Sequence, residues 1–152
     1  MKRKNLWLLA PPLVGLVLVW CTGQQRRTES DIYEATLRGM FPRKIAPAGP
    51  VFISIAGSDP SLPLLTQFNQ LNDGVTLFLP ASRSIKANSG MYQVFRDRVT
   101  GREGWPIDLS RIYWHGPDNT SVSIDGDDTG GTYTLQRRNG NWEVKTREMW
   151  NS

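Results

Sequence analysis

The run TYTLQRRNGNWEVK, residues 132–145, decides the fold of the C-terminal half. Asn139-Gly140 sits at its centre. That dipeptide is the strongest short-range hairpin signal, because a type I′ turn needs positive φ at both central residues. Upstream, Tyr133 and Leu135 alternate with Thr134 and Gln136; downstream, Trp142 and Val144 alternate with Glu143 and Lys145. A period of two places apolar side chains on one face of a strand and polar ones on the other. The pair therefore reads as antiparallel strands with one buried face and one wet face.

The β pattern begins at Met91 and runs onward from there. Residues 92–99, 111–115 and 120–124 read as strands, with turn signals at Thr100-Gly101, at Gly104 and across residues 125–131. Ahead of them the period changes. Ile32, Ala35, Leu37, Met40 and Phe41 approximate one helix face behind a capping pattern, Thr28-x-x-Asp31, and Pro42 stops it. Residues 51–55 (VFISI) form a short β-rich run. Asp59 or Ser61 then caps a second helix, with Leu64, Leu65, Phe68 and Leu71 as its buried face and Asn72-Asp73-Gly74 as its stop. Residues 75–79 read as another strand, and residues 81–90 carry no assignable period. The expected fold class is α+β: two N-terminal helices packed on a mainly antiparallel, curved β-meander, after an N-terminal hydrophobic segment.

That leading segment has the order of a secretory signal. Lys2-Arg3-Lys4 is a basic start, and residues 6–20 are apolar apart from Pro11-Pro12. The division expected is a signal peptide or membrane anchor over residues 1–23, a linker over 24–28 and a single domain over 29–152. Three outcomes stay open. Thr22 and Gly23 are small enough for cleavage. The apolar stretch 6–23 approaches the roughly 20 residues of a retained anchor, although two prolines weaken its helix. Leu18-Val19-Trp20-Cys21 resembles a lipobox, with Trp20 where a small residue belongs, so lipidation at Cys21 is the third. The expected partner is the membrane through residues 6–23, and each outcome puts the domain outside the cytoplasm, in the bacterial cell envelope, either membrane-anchored or secreted. Arg26 and Arg27 oppose the usual charge bias, which keeps inverted topology open. Cys21 is the sole cysteine, so no intrachain disulfide forms.

The net charge of +4 belongs to that segment. Residues 1–27 hold five cations (Lys2, Arg3, Lys4, Arg26, Arg27) and no acid; the remainder holds 18 − 5 = 13 cations and 14 acids, a net of −1. A nucleic-acid partner is therefore not expected, because phosphate binding needs cations gathered on the domain itself.

Residues 131–144, GTYTLQRRNGNWEV, are similar to the closing hairpin of cystatin-like and NTF2-like domains in small bacterial secreted proteins. Asp31-Ile-Tyr-Glu34 and Asp59-Pro60 resemble an uncharacterised family of small bacterial secreted or envelope proteins. The resemblance implies a curved sheet against helices and carries over no active-site residue.

Candidate chemistry is sparse. His115 is the only histidine, and a Ser-His-Asp triad would need it with Asp108 or Asp118 as orienter. No Gly-x-Ser-x-Gly elbow accompanies it. One histidine and one cysteine do not assemble a zinc site of normal composition. Asp128-Thr129-Gly130 copies the aspartic-protease triplet, but turn chemistry explains it more simply. Asp125, Asp127 and Asp128 offer hard oxygens for Ca²⁺, without a glutamate at EF-hand spacing. No catalytic residue, metal or cofactor is expected. The binding residues expected are Trp105, Trp114 and His115. Aromatic faces stack on ligands, and a curved sheet would let Trp105 and Trp114 line one pocket. Arg111, Tyr113, Arg138, Lys145 and Arg147 are expected on the wet face, as a dock for an acidic partner or lipid headgroups, or simply as a solvated surface. The functional expectation is a non-enzymatic accessory or binding domain that contacts a protein or a small-molecule ligand. The alternatives are a small envelope hydrolase and a secreted cystatin-like inhibitor using the 125–131 loop.

Overall fold

The computed structural model describes residues 28–41, 48–71, 76–89, 92–126 and 129–151. The expected signal or anchor, the lipobox and residues 24–27 of the expected 24–28 linker lie outside the described residues. Among these residues no helix is long and apolar enough to cross a membrane.

A helix over residues 28–40 (α1) comes first. It is followed by β1 (Val51–Ile55), α2 (Leu62–Asn69), β2 (Phe78–Pro80) and a 3-10 turn at Ala81–Arg83. Seven strands complete the chain: β3 (Ser84–Ser89), β4 (Tyr92–Asp97), β5 (Glu103–Leu109), β6 (Tyr113–Gly116), β7 (Asn119–Gly126), β8 (Thr129–Arg138) and β9 (Asn141–Asn151).

The spine of the sheet runs β2-β1-β5-β7-β8-β9, with β3 and β4 branching from β5 and β6 lying on β7. The expected architecture, two N-terminal helices on an antiparallel meander, is overturned. Of the described residues 54% are strand and 23% helix. The helices are not an N-terminal pair, because β1 separates them and α2 is the crossover between two strands that run parallel, β1 and β2. β1 also runs parallel to β5, Val51 opposite Trp105 through Ile55 opposite Leu109. Parallel neighbours need a long connection, and a helix is its usual form.

Strand β5 then divides its other edge. Its first residues pair with β4 (Glu103 with Arg96, Gly104 with Phe95) and its last with β7 (Ile107 with Gly126, Asp108 with Asp125, Leu109 with Ile124). Trp105 and Pro106 fall between the two ladders. Trp105 N–H donates to the Pro50 carbonyl at 2.9 Å and Leu109 C=O accepts from Ala56 at 2.7 Å, so the odd-numbered residues of β5 face β1. Pro106 therefore turns its backbone to the gap, where its missing N–H forfeits no ladder bond.

One face of the sheet carries the core. Ile32 and Leu37 of α1 and Phe68 of α2 pack with Ile53, Phe78, Leu109, Val122, Tyr133 and Leu135. Gly39 lets α1 approach closely, since a Cβ there would stand 2.9 Å from the Val144 methyl. On the opposite face Phe52 is also fully buried, in a recess it shares with Phe95 and Pro106. The C-terminal hairpin forms where Asn139-Gly140 placed it, with φ of 49° and 84° at those residues and Arg138 opposite Asn141. In β9 the register slips: Leu135 faces Val144 but Thr134 faces Thr146, leaving Lys145 as an extra residue in a bulge.

The crossing of β1 and β5 supplies a test. A Cβ at Gly104 would overlap the Pro50 carbonyl oxygen and come within 2.8 Å of the Phe52 ring, whereas a Cβ at Gly116 meets nothing within 4 Å. Gly104→Ala should lower stability by about 2 kcal/mol through overpacking, and Gly116→Ala should leave it near wild type, both read by urea unfolding.

Candidate functional site

Beyond the pair Phe95–Gly104, β4 leaves β5. Trp105 turns its N–H to β1, so the next hydrogen-bonded pair of that register would be Gln93 with Pro106, which has no N–H to donate, and the hairpin opens there. The opening is a cleft of about 540 Å³ lined by Ala48, Gly49, Gln93, Val94, Phe95 and the 102–106 segment. Trp105 is its dominant side chain and is 55% exposed. It shares the face of Ile107 and Leu109, which are both buried. The rim carries an ion pair, Arg96 to Glu103 at 2.7 Å.

The strand arm that forms the far wall is fixed at its base by Asp97, which is 2% exposed. Arg83 reaches its carboxylate through Nε at 2.6 Å and Nη2 at 3.0 Å. The carboxylate also accepts the N–H groups of Val99 and Thr100, each at 3.2 Å, and the Thr100 hydroxyl. The Arg83 hydrogen bonds hold the carboxyl far below the usual carboxylate range against the opposing effect of burial; the Thr100 hydroxyl and Val99 N–H add to the lowering.

A second polar group lies at the end of β1. Ala56 and Gly57 have φ of 50° and 76° and make a tight turn in which Ile55 and Ser58 exchange backbone hydrogen bonds. Asp108 braces it, accepting from the Ser54 hydroxyl and, at 2.9 Å, from Gly57 N–H. Asp125 is its cross-strand partner, and both border the recess of about 210 Å³ beside Phe52. Asp127 and Asp128 lie outside the described residues. Among the described residues no three potential metal ligands gather.

The expected binding residues fall into two places. Trp105 lines the cleft. Trp114 lies in β6, packed edge-on against Trp142 at 5.8 Å. The nine residue steps from one to the other follow β5 and β6 along the same side of β7. At about 3.3 Å per residue, that separation rules out one shared pocket. His115 is exposed, with Nε2 2.8 Å from the Ser121 hydroxyl. Asp108 is engaged by Ser54 and Gly57, and the hydrogen bond of the His115 ring goes to Ser121 rather than to Asp108 or Asp118, so the expected triad arrangement is not assembled among the described residues. Arg147 stands opposite Tyr133, on the core side of the sheet rather than on the wet face, because the Lys145 bulge inverts the alternation. The Asp97–Arg83 staple and the opening at Pro106 had no counterpart in the sequence reading. A proline inside a β-rich stretch was the available signal for the second.

Comparison with family models, with curated proteins and with solved structures returns no match for this chain.

Because the folded carboxyl of Asp97 is depressed, its contribution to stability is complete above the unfolded value of about 3.9 and is lost as the pH falls toward the lower folded value. The Val99 and Thr100 amide resonances should stay unchanged through the range where free carboxylates titrate and move only in stronger acid. Asp97→Asn should abolish that movement and loosen the 97–102 turn at neutral pH, as read by amide exchange.

Proposed function

We propose that this domain is a non-enzymatic binding module of the bacterial cell envelope, delivered by residues 1–23, that takes an apolar group of a small ligand or of an extended protein segment in the Trp105 cleft. The observation that carries the reading is the exposed indole in a cleft of about 540 Å³, beside a strand edge that β5 does not pair. A large flat ring with a polar N–H suits mixed apolar and hydrogen-bonding contacts. A free strand edge offers main-chain donors and acceptors to an extended segment.

The distribution of perturbed groups supports binding over turnover. An active site gathers shifted titratable groups in a pocket. Here burial raises Tyr33 to about 12, with the Glu29 and Asp108 charges adding to it, and the phenol donates to the Ser110 carbonyl at 3.2 Å. Burial also raises Tyr133, whose ring sits in the core. Asp97 is committed to the turn. None of the three lines the Trp105 cleft.

A screen of fragments and short peptides by amide chemical-shift mapping tests this. Hits should perturb residues 93–95 and 104–106. Trp105→Ala should weaken them by roughly thirtyfold, the scale of a buried aromatic anchor, while leaving the melting temperature close to wild type. Hits that map to His115 or to the Asp108–Asp125 recess instead would remove the basis of the reading.

A further inference from the structure

The turn from β4 to β5 reads Arg98-Val99-Thr100-Gly101-Arg102, and all five residues are exposed. Val99 is 74% exposed, an aliphatic side chain held out in water. It is held there by design of the backbone: Asp97 accepts the Val99 and Thr100 N–H groups, and Gly101 supplies a φ of 72°. The apolar tip is thus fixed by hydrogen bonds rather than left over from a loose loop.

Charge around the tip is one-sided. Residues 83–103 hold five cations (Arg83, Lys86, Arg96, Arg98, Arg102) and two acids (Asp97, Glu103), a net of 5 − 2 = +3. Both acids are spent in the pairs with Arg83 and Arg96. Lys86, Arg98 and Arg102 make no ion pair with a described residue; Lys86 lies over the Phe95 ring at 5.4 Å. The rest of residues 28–152 holds 13 − 5 = 8 cations and 14 − 2 = 12 acids, a net of −4. The arm is the positive pole of an otherwise acidic body.

We propose that this turn docks on an anionic lipid bilayer, Val99 entering the interface while Arg98, Arg102 and Lys86 meet headgroup phosphates. A rigid aliphatic tip between two arginines matches a surface that is charged outside and apolar beneath. Long cationic side chains keep their charge at the headgroups while their stems lie along the apolar layer. A nucleic acid would satisfy the cations but offers this exposed valine no apolar layer. Three cations at an anionic surface give a preference over a neutral membrane on the order of a hundredfold. The inference does not depend on the ligand reading of the Trp105 cleft.

The test uses the full chain in vesicles, where any insertion of residues 6–23 is common to all samples and a probe at position 99 reports on the tip alone. Val99→Cys in a Cys21→Ser background is labelled with a polarity-sensitive fluorophore. In phosphatidylglycerol-containing vesicles its emission should shift to the blue and be quenched by brominated acyl chains. In pure phosphatidylcholine, or at about 1 M salt where the screening length is ~3 Å, the probe should report water. Arg98→Glu with Arg102→Glu should abolish the shift. Lys86→Glu, which lies outside the turn, should weaken it and covers the case in which the double variant misfolds. Equal emission in the two lipids, a shift that persists in Lys86→Glu at full size, or a response to added DNA in place of vesicles would overturn the proposal.

Discussion

Strand β5 has to satisfy its backbone against three neighbours within seven residues. β1 takes one edge along most of its length, while β4 and β7 share the other. The change of partner falls at Pro106, the residue that brings no N–H to the contested edge. The arm made by β3 and β4 leaves the body at that point, the Trp105 cleft opens in the gap, and the recess beside Phe52 forms on the reverse face. A donor at position 106 would let the β4–β5 ladder continue and would narrow the gap that separates arm from body.

Features encoded by neighbouring residues were readable in the chain. The Asn139-Gly140 turn, the α1 face built on Ile32 and Leu37, the β1 run at 51–55 and the Phe68 face of α2 all appear where local pattern put them. β5 did not, because Gly101, Gly104 and Pro106 speak for turns, and the strand exists by virtue of partners far away in sequence. Parallel pairing of β1 with β5 joins residues more than fifty apart, and no local signal specifies it. The expected antiparallel meander failed for that reason. The slip at Lys145 failed to register for a related one: strict alternation can be read from a sequence, but the place where a strand inserts one extra residue depends on the partner strand.

The candidate site divides in the same way. That Trp105 was a surface aromatic of interest could be argued from composition, but its distance from Trp114 could not, since that depends on β5 and β6 forming one long line against β7. Net charge was more misleading. A total of −1 over residues 28–152 describes a neutral body. Within that total, the arm over residues 83–103 alone carries a net of +3 and the rest of 28–152 a net of −4, a split that the sum conceals. Asp97 is one of the two acids on that arm, and it is fully occupied in shaping the turn.

The slip in β9 has a further consequence for how copies of this chain meet. Among the described residues β9 is an eleven-residue strand at the margin of the sheet. Such a margin is a template on which another chain can crystallise strand by strand. The extra residue at Lys145 puts a phase error in the template: Glu143 faces outward before it, and Thr146, Glu148 and Trp150 face outward after it. A straight incoming strand can be in step with one half or the other, never with both. A long exposed margin is thereby made a poor seed for fibres, at the expense of a single residue.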